Sequence, residues 1–70
     1  MAARELADRI RKTLTRLPAN QRAALVLSRI EGFSYEEVAE ALGCSQQAVK
    51  SLVFRATQGL KESLRDFLEP

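Results

Sequence analysis

Apolar residues recur along this chain at helical spacing, and the pattern breaks at Pro18, Gly32 and Gly43. Leu6, Ile10, Leu14 and Leu17 stand at i, i+4, i+8 and i+11 and predict a first helix over about 4–16. Pro18 suits the start of a second helix, because the amide hydrogen it lacks would find no intrahelical partner there. That helix is expected over 19–31, with Ala23, Ala24, Val26, Leu27 and Ile30 on one broad apolar face. It reads as the most buried of four helices, and Gly32 stands in the usual place to stop it.

The third helix carries the clearest signals. Ser34 followed by Glu37 is a capping box, and Phe33 with Val38 has the spacing of a hydrophobic staple around it. Glu36 and Glu37 fall in the first turn, where the helix dipole favours negative charge. Tyr35, Val38, Ala39 and Leu42 form its apolar face, and Gly43 ends it, giving 35–42. Ser45 is a second N-cap and opens a long helix over 46–67.

At about 100° per residue, Val49, Leu52, Val53, Ala56, Leu60, Leu64 and Phe67 line one side of that helix. The opposite side carries Gln47, Ser51, Phe54, Gln58 and Arg65, with Lys50 and Lys61 on one edge and Arg55 on the other. Phe54 is out of place on a polar face. It packs on a helix not yet placed, or it meets a ligand or partner. No strand pattern, repeat or low-complexity segment interrupts the series. The fold class is all-α, a single domain over 1–70.

Size and composition narrow the means of stabilisation. A chain of 70 residues buries only about 60% of the surface its unfolded form exposes, and domains this small usually need a staple. One cysteine and no histidine exclude an internal disulfide and a histidine-bearing zinc site. Regular helix packing or a partner remains. With 46% hydrophobic and 29% charged residues the chain is too apolar for disorder. Its longest apolar run, Ala23 to Leu27, is far short of the ~20 residues of a membrane span. Arg4, Glu5 and Asp8 break any secretory pattern, so a soluble, intracellular protein with no membrane contact is expected.

The net charge of +2 is unevenly spread. Residues 1–30 hold seven bases and two acids, residues 31–44 four acids and no base, and residues 45–70 four bases and three acids. From Ser45 to Lys61 the bases Lys50, Arg55 and Lys61 occur without an acid among them. That is the footprint expected of a surface facing phosphate.

No catalytic constellation is present. There is no histidine, glycine-rich phosphate loop or nucleophile elbow, and no carboxylate pair held in contrasting environments. Capping, dipole and solvation account for Glu36, Glu37 and Glu40. Cys44 has no basic neighbour to activate it and reads as a small packing residue. No enzyme, cofactor, metal or small-molecule substrate is expected. What remains is a short helix, the turn Gly43-Cys44-Ser45 and a long basic helix, the layout of a helix-turn-helix without a strand-built wing. Ala39 is small where the helices cross, Gly43 permits the positive φ of the turn, and Val49 fills the angle between them.

The run Leu17-Pro18-x-x-Gln21-Arg22-x-Ala24-Leu25, then Glu31-Gly32-Phe33-Ser34-Tyr35-Glu36-Glu37-Val38-Ala39, then Leu42-Gly43-Cys44 and Val49-Lys50-Ser51 with Arg55-Ala56, resembles a known family. It is similar to region 4, the C-terminal domain of the extracytoplasmic-function (ECF) sigma factors of bacterial RNA polymerase. The resemblance covers about residues 14–67. It implies a four-helix domain that reads the promoter −35 element in the major groove and docks on the flap of the polymerase β subunit. It further implies an anti-sigma factor as a frequent partner.

The residues fit such a placement. In helix-turn-helix proteins the N-terminal residues of the second helix reach base edges while the first crosses the backbone. Gln46 and Gln47 have the chemistry to read adenine, and Phe54 to meet a thymine methyl. The helix N-terminus at Ser45 suits a phosphate. By resemblance, Lys50 and Ser51 stand where the family places base or phosphate contacts, and Arg55 where it places a backbone contact. Ser34 and Tyr35 are candidates for the flanking phosphate.

Three departures bear on this. The family commonly has a base at the positions of Leu52, Thr57 and Gly59. Leu52 lies on the core stripe, and losing a base at Thr57, on the Lys50 side, should weaken phosphate binding. Gly59 costs about 1 kcal/mol relative to alanine within a helix, and is a candidate bend. Two other readings stay open. One is a sigma-like interaction module that binds an anti-sigma factor or other regulator without reading DNA. The other is an effector domain of the response-regulator type, binding palindromes as a dimer. The family's part that grips core polymerase and melts the −10 element is not in these residues, so the chain is expected not to start transcription alone.

Overall fold

The boundaries around the third and fourth helices fall on residues with a physical reason to sit there. The computed structural model describes residues 2–68, with α1 over Ala2–Arg16, α2 over Ala19–Leu25, α3 over Tyr35–Leu42 and α4 over Gln46–Leu68. Among the described residues there is no strand. Ser34 Oγ accepts from the Glu37 amide at 3.1 Å while the Ser34 amide donates to Glu37 Oε1 at 2.9 Å, closing the capping box. Phe33 and Val38, at the staple spacing, both line one hollow beside it. At the far end of α3, Gly43 takes φ 70°, which lets the Cys44 amide reach the Ala39 carbonyl at 3.0 Å. Ser45 Oγ then accepts from the Ala48 amide at 3.0 Å and starts α4.

The second helix departs from expectation. Instead of running to residue 31 as an α-helix, it widens over Val26–Ile30 into a π turn, in which the Glu31 amide donates to the Val26 carbonyl at 2.9 Å. The Ser28 hydroxyl donates to the Ala24 carbonyl at 2.6 Å, competing with the backbone where the widening begins. Gly32, at φ 85°, closes the element, and the Phe33 amide reaches back to the Leu27 carbonyl at 2.9 Å. The wider turn shifts the register. Ile30, expected on the buried face, is 64% exposed, and only Ala24 and Leu25 of this segment are buried.

The core is Ala24 and Leu25 of α2, Val38 and Ala39 of α3, and Val49, Val53 and Ala56 of α4. Leu14, Leu17, Leu42, Leu52 and Leu60 pack on it from outside. These core side chains are mostly small, so the helices are held by close approach rather than by bulk. Gly59 serves the same approach. A Cβ there would lie 3.1 Å from Leu17 Cδ2, and α4 runs through the position as one helix. The glycine seats Leu17 and marks no break.

Polar bonds clasp α1 to the rest. Thr13, buried, donates to the Arg9 carbonyl at 2.9 Å, which leaves the Ser63 hydroxyl to donate to Thr13 Oγ1 at 2.5 Å. Arg9 donates to the Ser63 carbonyl at 3.1 Å and its guanidinium lies over the Phe67 ring, 5.8 Å from the centroid. Arg22 reaches back from α2 to the carbonyls of Leu14 and Thr15 at 3.4 and 3.2 Å, a cation on the negative end of α1. Arg22→Ala is expected to cost about 1–2 kcal/mol in urea unfolding. Lysine should recover only part of this, lacking the planar fork.

Candidate nucleic-acid interface

The Gly43–Ser45 turn brings α4 across α3 over Ala39, Val49 and Val53, and this burial fixes which side of α4 faces outward. Gln47, Lys50, Ser51, Phe54 and Arg55 come together on that outer side and line one open depression. All five are exposed, and Phe54 at 64% is among the most exposed large apolar side chains of the described residues. Around the helix axis the order is Lys50, Phe54, Gln47, Ser51, Arg55. A cation therefore stands on each edge, with amide, hydroxyl and aromatic groups between. No carboxylate lines the depression. Such a surface offers hydrogen bonds and an apolar contact in the middle and phosphate neutralisation at its borders.

The other sequence candidates have different places. Gln46 is exposed at the start of α4 but outside the depression. Ser34 and Ser45 are N-caps whose oxygens accept from the backbone, and each hydroxyl keeps its own proton to donate. Tyr35 is half-buried against the core and joins the site from the side. It lines a groove between the end of the second helix and α4, with Arg29, Lys50, Phe54, Gln58 and Lys61. Arg29 was not among the sequence candidates. Thr57 faces the same groove, but its hydroxyl donates to the Val53 carbonyl at 2.8 Å. On the opposite flank a third hollow is lined by Asn20, Leu42, Cys44, Ser51 and Arg55 among others. Cys44 is exposed there and not the packing residue expected, because the left-handed Gly43 turns the chain outward.

Four helices around a small-residue core, with a capped turn presenting a basic, acid-free helix face, define a helix-turn-helix domain. The chain belongs to the sigma-70 region 4 family, whose pattern matches residues 7–58. Among its relatives, the RNA polymerase sigma-H factor of Pseudomonas aeruginosa is 34% identical over 64 residues, 91% of this chain and 33% of that protein. The ECF RNA polymerase sigma-E factors of Escherichia coli and Salmonella typhimurium are each 31% identical over 68 residues, 97% of this chain and 36% of theirs. The chain thus spans about a third of the length of the curated relatives it matches. The resemblance drawn from the motifs is met by both the family and the names of these relatives. They are named as sigma factors of RNA polymerase. Among the described residues no helix is long and apolar enough to cross a membrane.

Proposed function

We propose that this domain reads the promoter −35 element through the major groove and directs RNA polymerase to it. The observation that carries the reading is the acid-free face of α4, with Lys50 and Arg55 on its borders and Phe54 exposed between them. Gln46 and Gln47 take adenine edges and Phe54 the methyl of a thymine. Lys50, Ser51 and Arg55 hold base edges and backbone. The α4 N-terminus at Ser45 faces a phosphate, and Ser34 and Tyr35 at the start of α3 take a flanking one.

The polymerase contact, with the β flap as its expected partner, is assigned away from this face. Phe33, at 47% exposure, lines an apolar strip with Leu27, Val38 and Ala41 that shares no residue with the reading depression. The same strip would serve an anti-sigma factor. Promoter DNA and polymerase set the site of action in the bacterial cytoplasm.

An amide NMR titration with a −35-like duplex tests the DNA reading. Shifts are expected at Tyr35 and from Gln46 to Gln58, weakening as salt rises. If those amides stay still at low salt, the chain does not read DNA by this face.

A further inference from the structure

We infer that the groove holding Arg29, Lys50 and Lys61 is a second phosphate site, which grips the DNA backbone on one side of the reading face. The inference rests on the DNA reading above and extends its footprint to residues on another element. The groove is lined by these three cations together with Tyr35, Phe54 and Gln58, and no carboxylate lines it. It shares Lys50 and Phe54 with the reading depression, so the two surfaces are continuous across one aromatic ridge.

The π turn accounts for part of this arrangement. Widening over Val26–Ile30 alters the direction in which Arg29 leaves its helix, and the residue lines the groove from the side facing α4. An α-helix lying in the major groove has a phosphodiester strand along each flank. Arg55 and Asn20 face one flank, while Arg29, Lys50 and Lys61 face the other. Lys50 and Lys61 are eleven residues apart in the sequence, about 16 Å along a helix at 1.5 Å per residue. That span is too long for a single phosphate and reaches phosphates several steps apart along one strand. The bases absent at Thr57 and Gly59 are offset in this way by Arg29 and Lys61.

The test is fluorescence anisotropy with the full chain, using a −35-like duplex and a scrambled duplex over a range of salt. Arg29→Gln with Lys61→Gln should weaken binding to both duplexes by the same factor, most at low salt. The slope of log affinity against log salt should fall by about 2, roughly 1 for each lost contact. An unchanged slope, or a loss confined to one duplex, overturns the inference. If the unaltered chain binds neither duplex, the DNA reading itself fails and this site fails with it. Circular dichroism melts of the double variant should match the unaltered chain, since both side chains are exposed.

Discussion

Replacing Lys50 and Arg55 together by glutamine is expected to remove duplex binding at about 150 mM salt while the melting curve stays where it was. The two cations stand on opposite edges of the depression on α4, so on the proposed reading the change removes a phosphate contact on each side of it. Each contact sets about 0.9 of the slope of log affinity against log salt, and a domain this small has few to lose. Neither side chain is buried, and changes at such positions usually alter stability by less than about 0.5 kcal/mol. Anisotropy against a −35-like duplex, with a circular dichroism melt beside it, reads both quantities. Unaltered binding by the double variant would remove DNA from this face. A chain that serves only as a protein-interaction module would show no specific duplex binding before or after the change, so the anisotropy of the unaltered chain separates the two readings.

The exposed basic face of α4 was legible because it is almost wholly the property of one helix. Once Val49, Val53 and Ala56 are assigned inward, the period of the helix places Lys50, Phe54 and Arg55 outward with no further information. The caps were legible for a similar reason. Ser34 with Glu37, Gly43 and Ser45 each act on backbone within a few residues, so local chemistry decides them.

What was not legible depends on partners distant in sequence or on a departure from the ordinary period. Gly59 read locally is a weak point in a helix, whereas its reason is the side chain of Leu17 on another element. Thr13 and Ser63, fifty residues apart, gave no pattern to find. The second helix misled because helical spacing assumes 3.6 residues per turn throughout. Five residues of wider winding carried Ile30 out to solvent and Arg29 towards α4. The only local hint was Ser28, whose hydroxyl takes the Ala24 carbonyl, and many α-helices tolerate that bond. The basic groove was therefore hidden in the sequence although each of its cations was visible there.

Ala56→Leu is expected to be the most damaging single change to the fold. Ala24 and Ala56 are both fully buried in the one cluster that α2, α3 and α4 share, so there is no surface into which added bulk can escape. Overpacking of such a site costs about 1–3 kcal/mol and sometimes more. A domain of 70 residues has roughly 4–10 kcal/mol in total. The urea midpoint should fall sharply, whereas Ala41→Leu, on the exposed side of α3, should shift it little. Equal midpoints for the two variants would show that α2 and α4 are not packed this closely. DNA binding should fall with stability in Ala56→Leu, because moving α4 off α2 also tilts the face that carries Lys50 and Phe54. That coupling distinguishes it from the Lys50 and Arg55 exchange, in which affinity is lost and the fold is kept.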